Sequence, residues 1–410
     1  MLAEDSSLYV WERDQAAKVV RVEKEILGLS VLSREGLCIL LVVVLAAMAT
    51  GCAPRGAMAN PGWTTLTADN GAVYAALSTG RVVALDAATG DELWSYPLQQ
   101  SKASLGCSFA RTSTDDDTER PLDAVYGIPA LTDDLVLVAS YDHHLYAFER
   151  SSGRKVWDFA AGEAVIGGAT VYDGVVYFGA SDYRVYALDA TTGEPVWDAP
   201  FATGHWVWGA PAVDEETVYA GSMDHHVYAI DRQAGLEKWR QEVGGSVPGS
   251  VTLADGMLFV GSVDKHLYAL RASDGAEVWK TDMGHWVWGE ALAHDGYVYA
   301  CSLDGKAHAL ALGDGSPRWE PFPVGGAVRA GPALLGGDLV VGTESGAVYR
   351  IDMETGHGEK LLTTEKEGVL STPAVVDETM YVGTTAGRVW ALDTSRSARA
   401  PIWTYPPPKE

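Results

Sequence analysis

Tryptophan and histidine side chains stand together in one short motif that occurs twice in this sequence. The hexapeptide GHWVWG occupies residues 204–209 and again residues 284–289. The side chains able to bind a ligand in the two copies belong to His205, Trp206, Trp208, His285, Trp286 and Trp288. Indole rings can grip a peptide, a sugar or a planar ligand when they line an opening. Whether they do so depends on the structural element that carries them.

The body of the chain repeats with a period near 40 residues. One unit ends with LDAATGDELW at residues 85–94, and five further units end in a similar way at Trp157, Trp197, Trp239, Trp279 and Trp319. A seventh unit has Lys360 in place of the tryptophan, and an eighth lacks the glycine but reaches Trp403. Eight units therefore follow one another, and the first step is longer because of an insertion at about residues 98–124.

Each unit reads as four short strands separated by turn residues. In the fourth unit the predicted strands are 207–213, 217–222, 226–231 and 237–241, and the second and third alternate apolar with small or polar residues. Eight such units predict an all-β fold, an eight-bladed β-propeller of four-stranded antiparallel blades over residues 62–406. Because each blade comes from one contiguous segment, we expect the ring to close by packing blade eight against blade one.

The two tryptophan motifs fall on the first strands of units four and six. Aligning the eight units places Trp208 with Trp63, Tyr126, Ile166, Pro248, Trp288, Arg329 and Leu370. Innermost strands border the central channel of a propeller, which leaves two interpretations of these side chains. Either they pack between blades, or they line the channel mouth and form a ligand or partner site that includes Trp63, Tyr126 and Arg329.

A second group of polar side chains falls in the turns between strands two and three. Its members are His143, His144, Arg184, His225, His226 and His266. Transition metals need ligands that converge within about 2.0–2.2 Å of one ion. Turns of neighbouring blades are too far apart for that, so we predict no metal site and expect these residues to face solvent. A contact surface sensitive to pH is an intermediate interpretation.

The pattern A-x-D-x-x-T-G-x-x-x-W at residues 84–94 and 187–197 resembles the tryptophan-docking repeat of PQQ-type propellers. The resemblance implies that the repeated tryptophans pack between neighbouring blades: Trp94, Trp157, Trp197, Trp239, Trp279, Trp319 and Trp403. One branch of that family holds pyrroloquinoline quinone (PQQ) with calcium and oxidises alcohols or sugars, whereas the BamB-like branch consists of non-catalytic lipoproteins. Six of the seven inter-unit steps are 40–43 residues, which leaves almost no room for cofactor-binding loops, so the chain looks more like the BamB-like branch.

The segment before the repeats predicts export and a lipid anchor. Residues 36–51 form an uncharged apolar run that is short for a membrane span and typical of a signal peptide. Cys52 follows Ala-Thr-Gly and resembles the lipidated cysteine of bacterial lipoproteins, with residues 52–61 as a tether; a plain signal peptide or a short anchor with an incidental cysteine is the alternative. Residues 1–35 fit poorly as the start of a signal peptide, and we expect translation to begin near the end of this extension.

The formal net charge of −25 argues against nucleic acid as a partner, because an acidic surface repels phosphate backbones. The acidic insertion has no spacing typical of a calcium loop, and we expect it to be solvated. The sequence thus predicts a lipid-anchored, extracytoplasmic, monomeric ring that binds protein as a scaffold, without catalysis and without a cofactor. The alternative is a PQQ- or small-ligand-binding quinoprotein, catalytic or sensory, that uses the aromatic channel mouth.

Overall fold

The computed structural model describes residues 62–69, 71–97, 120–364, 367–394 and 401–407, all within the compact unit Asn60–Glu410. The sequence predictions for the N-terminal extension, the apolar run, Cys52 with its tether and most of the acidic insertion lie outside the described residues. Over the ranges just given, no helix is long and apolar enough to cross a membrane.

The described residues form eight four-stranded antiparallel sheets, each made of four consecutive strands. The strands of blades one to four are β1 (Thr65–Ala68), β2 (Ala72–Ala76), β3 (Val82–Asp86), β4 (Glu92–Tyr96), β5 (Ala130–Leu131), β6 (Leu135–Ala139), β7 (His144–Glu149), β8 (Lys155–Ala160), β9 (Thr170–Tyr172), β10 (Val175–Ala180), β11 (Arg184–Asp189), β12 (Phe201–Ala202), β13 (Ala212–Val213), β14 (Thr217–Gly221), β15 (His226–Asp231) and β16 (Glu237–Glu242).

The second half of the ring repeats the same arrangement. The strands of blades five to eight are β17 (Thr252–Ala254), β18 (Met257–Gly261), β19 (His266–Arg271), β20 (Glu277–Asp282), β21 (Leu292–His294), β22 (Tyr297–Ser302), β23 (Lys306–Ala311), β24 (Phe322–Pro323), β25 (Ala333–Leu335), β26 (Asp338–Gly342), β27 (Ala347–Asp352), β28 (Gly358–Thr363), β29 (Ala374–Val376), β30 (Thr379–Gly383), β31 (Val389–Asp393) and β32 (Trp403–Tyr405). The predicted eight-bladed, all-β propeller is confirmed.

The second and third strands of each blade carry the core. In blade four, all five residues of β14 are buried, because neighbouring blades cover both faces of its sheet. The fourth strand is different: β20 alternates exposed and covered side chains, as expected for the outer edge of a blade. The core is therefore a set of apolar layers between adjacent blades.

The first strand of each blade lies innermost and is shorter than predicted. First strands of neighbouring blades contact one another, as β9 and β13 do. In blade four only Ala212–Val213 pairs with the second strand, so the prediction of a strand beginning at Val207 was wrong. The backbones of adjacent blades converge there: a Cβ on Gly209 would lie 2.1 Å from the carbonyl oxygen of Gly249. Residues 207–211 therefore do not pair with the second strand of their own sheet and lie against the neighbouring blade.

The ring closes by packing, without a strand shared between blades eight and one. Side chains of the two blades form one apolar layer, in which Tyr381 and Trp403 meet Val73 and Leu85. The Tyr381 hydroxyl and the Trp403 indole N–H both donate to the carbonyl oxygen of Ala87, at 3.1 Å each. The predicted mode of closure is confirmed.

A tryptophan that lies in the fourth strand, or just before it in the cases of Trp197 and Trp319, reaches the next blade at seven of the eight joints. Its indole N–H donates to a turn carbonyl of that blade at 2.7–3.2 Å; the pairs are Trp94–Arg150, Trp157–Ala190, Trp197–Arg232, Trp239–Ala272, Trp279–Leu312, Trp319–Met353 and Trp403–Ala87. The ring then covers a turn glycine. At Gly235, where φ is 66°, an added Cβ would meet the Trp197 ring at 2.7 Å. Tryptophan and glycine therefore act as a pair across each of these seven joints.

The joint between blades seven and eight lacks this pair. Lys360 stands at the tryptophan position, and the sequence of blade eight lacks the turn glycine. Here Arg350 Nη1 donates to the Thr394 carbonyl oxygen at 3.4 Å, the position that an indole N–H occupies elsewhere. A long, partly solvated side chain thus replaces a rigid ring at this one joint.

Candidate functional site at the channel mouth

The two hexapeptides lie at the end of the ring that carries the hairpins between strands two and three. The backbone N–H of Met223 donates to the Trp206 carbonyl oxygen at 2.8 Å, and Leu303 N–H donates to the Trp286 carbonyl oxygen at 3.0 Å. Each tryptophan segment is therefore held by the hairpin of its own blade. These hydrogen bonds fix the backbone of the segment, whereas the orientation of the indole rings is set by neighbouring side chains.

The residue between the two tryptophans does the packing between blades. Val207 and Val287 are fully buried. A Cβ on Gly179 of the neighbouring blade would lie 2.2 Å from Val207 Cγ1, so the glycine makes room for the valine. Since neighbours along an extended segment point in opposite directions, the flanking tryptophans face away from this apolar layer.

The indole rings of blades four and six meet over blade five. Trp206 and Trp208 are stacked with their centroids 4.9 Å apart, and the centroids of Trp208 and Trp288 are 6.4 Å apart. The aligned residue of the intervening blade is Pro248, so these two rings can approach only by projecting toward the channel axis. The Trp208 indole N–H also donates to Ser181 Oγ at 3.2 Å. The rings remain partly exposed, which makes them a surface at the mouth of the channel.

Other sequence-predicted residues extend this surface. The Arg329 guanidinium lies 5.3 Å from the Trp288 ring centroid and forms an ion pair with Glu344. His205 contacts Trp206 with ring centroids 4.6 Å apart. The structure thus brings together side chains from blades four, six and seven, which we call the aromatic mouth: His205, Trp206, Trp208, Trp288 and Arg329.

The remaining predicted residues form two further contacts. Trp63 and Tyr126 pack edge to face on blades one and two, with centroids 4.7 Å apart, and burial raises the pKa of Tyr126 to about 12. His285 and Trp286 pack against each other at 5.8 Å. These pairs have the same position in their blades as the aromatic mouth, but none of the contacts described above joins them to it.

Sequence reasoning missed two tyrosines on the hairpins. Tyr183 is 43% exposed with its ring centroid 5.1 Å from that of His205, and Tyr141 is 38% exposed and lies 6.3 Å from Tyr126. Tyr183 occupies, at a φ of 70°, the hairpin position that holds His143, His225 or Lys265 in other blades. The shared positive φ cannot be read from these residue types, but the unusual tyrosine at a turn position could have been noticed.

The hairpin histidines bind to their own turns. Nδ1 of His144, His226 and His266 lies 2.9–3.1 Å from the carbonyl oxygen of the aspartate two residues earlier. In the part of the chain that the structure describes, no group of three or more His, Cys, Asp or Glu residues is placed to hold a metal ion. The idea of a pH-sensitive contact surface stays a prediction.

Aspartate–tyrosine pairs brace the hairpins of blades two to five. The Tyr228 hydroxyl donates to Asp224 Oδ2 at 2.7 Å, and the same carboxylate accepts the N–H of Gly204 at 2.6 Å, at the start of the hexapeptide. The other pairs are Asp142–Tyr146, Asp182–Tyr186 and Asp264–Tyr268. In blade six, His308 takes the tyrosine position, is only 7% exposed, and has no hydrogen-bond partner for Nε2 among the described residues.

Replacing His308 with tyrosine is expected to stabilise the ring by about 1 kcal/mol, since the new hydroxyl can reach Asp304 as Tyr228 reaches Asp224. Burial lowers the pKa of His308 to about 4, whereas an unfolded imidazole titrates near 6.5. The unfolded chain therefore takes up the proton first, and His308 makes stability fall as pH drops from about 6.5 to about 4. Thermal unfolding at pH 5 and pH 7.5 should show a smaller loss for H308Y than for the wild type.

The matched control is Tyr268→Phe, which removes the corresponding hydroxyl in blade five and should destabilise by a similar amount. An H308Y protein that melts below the wild type at pH 5 would show that the blade-six site cannot accept the tyrosine.

The fold and the joints define a class of protein, the eight-bladed propeller whose blades are tied by tryptophan docking. A family model described as outer membrane protein assembly factor BamB matches residues 57–126, 78–203 and 184–405. The chain belongs to this family of PQQ-type propellers.

Two solved structures have a similar fold. The computationally designed Ika8 protein aligns with a TM-score of 0.68 at 16% identity, over 82% of this chain and 97% of that chain. BamB from Moraxella catarrhalis aligns with a TM-score of 0.62 at 19% identity, over 80% of this chain and 92% of that chain. At such identities the likeness concerns the fold alone.

One curated relative is an enzyme. Quinohemoprotein alcohol dehydrogenase ADH IIB from Pseudomonas putida is 35% identical over 88 residues, which are 22% of this chain and 11% of that enzyme. The match therefore covers a small part of both proteins, equal to about two blades of this ring.

Proposed function

We propose that this chain is a non-enzymatic scaffold of the cell envelope that binds protein partners in outer-membrane protein assembly. The observation that carries the proposal is the aromatic mouth, where indole rings remain partly exposed although Val207 and Val287 already provide the packing between blades. Aromatic side chains on a rigid support are typical anchors in protein interfaces. The family match supports the assembly role.

The location follows from the N-terminal prediction. Export by the apolar run and lipidation at Cys52 would hold the ring on the extracytoplasmic side of a membrane, on the periplasmic side or at the cell surface. Each sheet is complete within one blade, so the ring needs no second copy to satisfy its strands, which supports a monomer. Intact mass of membrane-extracted wild-type and Cys52→Ser protein tests the anchor directly: the wild type should carry the lipid mass and the variant should not.

The scaffold role is tested by crosslinking in membranes and identifying captured envelope proteins by mass spectrometry. The mouth variant is the double substitution Trp206→Ser and Trp208→Ala, and Leu93→Ala is the control, because Leu93 is 56% exposed on an outer strand. We expect the wild type and L93A to capture the same assembly component, and the mouth variant to lose most of it while remaining folded by circular dichroism. Equal capture by the mouth variant would contradict the proposal.

A quinoprotein is the second candidate, favoured by the short match to the alcohol dehydrogenase. The described mouth residues fit PQQ with calcium poorly. Calcium takes six to eight oxygen ligands, and no group of three acidic or other metal-ligating residues is found among the described residues. Arg329, which could meet a carboxylate of the quinone, already pairs with Glu344. Saturable PQQ binding in calcium, with dye-linked alcohol oxidation, would replace the scaffold proposal with this one.

A further inference from the structure

A ring of mostly small side chains lies two residues beyond the mouth position in each blade. We call it the inner ring; its members are Thr65, Ile128, Gly168, Ala210, Ser250, Glu290, Gly331 and Thr372. Neighbouring members touch. The N–H of Ala210 donates to Ser250 Oγ at 3.1 Å, and a Cβ on Gly331 would lie 3.4 Å from Glu290 Cβ. Sheets packed face to face lie about 10 Å apart, so such contacts mark the place where the blades converge.

Glu290 is the one ionisable residue of the inner ring. Its flanking members, Ser250 and Gly331, are too small to cover it, and its side chain is open to the channel. Among the described residues its carboxylate has no hydrogen-bond or ion-pair partner; the side chain is exposed, and desolvation by the surrounding blades raises its pKa to about 7. Desolvation of an ionised carboxylate costs free energy when no hydrogen bond or ion pair replaces the lost water, and a cation in the channel would offset this cost.

Trp288 of the aromatic mouth and this carboxylate lie on the same inner segment of blade six. Trp288 precedes Glu290 by two residues, and both side chains are accessible to solvent, Trp288 in part and Glu290 more fully. The face of Trp288 already accepts the guanidinium of Arg329 at 5.3 Å, and the Trp208 ring is 6.4 Å from that of Trp288. Indole faces attract organic cations, and the attraction increases when the site is partly desolvated.

We propose that Glu290, with Trp288 and Trp208, forms a channel site for an organic cation, an ammonium or a guanidinium group. The carboxylate supplies a charge-assisted hydrogen bond, and the indole rings cover the apolar faces of the ligand. The cation comes either from a free amine or from a lysine or arginine side chain of a protein segment that enters the mouth. The site stands on the channel geometry and does not depend on the scaffold role.

The experiment uses ligand-observed saturation-transfer NMR on the folded chain. The probes are n-butylammonium, methylguanidinium, and capped glycine tripeptides with a central lysine or arginine; the neutral controls carry norleucine or citrulline there. Glu290→Gln removes the charge at constant shape. Glu216→Gln removes the same charge from a side chain that is 85% exposed, and it controls for the general acidity of the protein.

We expect saturable binding of the cationic probes to the wild type and to E216Q, and at least about tenfold weaker binding to E290Q, the scale of one charged hydrogen bond. Trp288→Leu should weaken binding about fivefold, as loss of a desolvated cation–π contact implies. Binding of the tripeptides as well as the free amines assigns the site to a protein segment, and binding of the free amines alone assigns it to a small molecule. Equal binding to E290Q with an unchanged melting temperature, or equal binding of the neutral controls, overturns the proposal.

Discussion

Replacing Trp197 with alanine is expected to reduce the free energy of unfolding by about 3–5 kcal/mol. The side chain is 4% exposed and packs 6.0 Å from the Tyr177 ring, and its N–H donates to Arg232 O at 2.9 Å. Truncation opens a cavity over Gly235, and the glycine and its turn cannot fill it. Because each blade contacts only its neighbours, loss of one joint weakens the closed ring as a whole.

The effect is measured by urea unfolding followed by circular dichroism. Trp197→Phe keeps most of the packing but loses the hydrogen bond, and it should cost about 1–2 kcal/mol. Lys360→Ala is the matched control at the joint without docking, where we expect less than about 1 kcal/mol. A loss below about 1 kcal/mol for W197A would show that the joints do not depend on their tryptophans.

Substituting Val207 with aspartate is expected to cost about 4 kcal/mol or more, because it places an unpaired charge in a fully buried layer. The adjacent substitutions Trp206→Ala and Trp208→Ala should each cost less than about 1.5 kcal/mol, since these rings are partly exposed and lose mainly ring–ring contacts. The stability losses at these three consecutive positions distinguish a residue that packs between blades from two residues at the surface. Melting temperatures of the purified variants measure it.

Blade six offers an internal control for this pattern. Val287 is as fully buried as Val207, so Val287→Asp should reproduce the loss, and Val207→Ala should fall between the extremes at about 1–3 kcal/mol. If W208A destabilised the ring as much as V207D, the tryptophans would be part of the packing, and the aromatic mouth would lose its role as a binding surface.

These two experiments concern different tryptophans with different roles. Trp197 and its six counterparts pack against a turn of the next blade, whereas Trp206, Trp208 and Trp288 lie on the inner segments and remain partly exposed. The first group serves the ring itself. The second group is not needed for the packing between blades, and the proposed function therefore rests on it.

The sequence by itself determined the number of blades and their order, whereas the tryptophans that join them were implied by the resemblance to the tryptophan-docking repeat. The reason is that these features are local: a period near 40, turn glycines, and strands of apolar and small residues recur within each unit. The positions of β14 and β15 were predicted to within one residue for the same reason. The placement of a tryptophan four residues after a turn glycine requires no knowledge of distant parts of the chain.

Only the tertiary structure decided what lies along the channel. Trp208 and Trp288 are 80 residues apart in sequence, and they approach each other because the closed ring turns their segments inward past Pro248. Convergence of the blades also shortens the first strands and raises the pKa of Glu290 on the inner segment of blade six. These properties depend on the distance between blades, which is set by packing around the whole ring and by no single repeat.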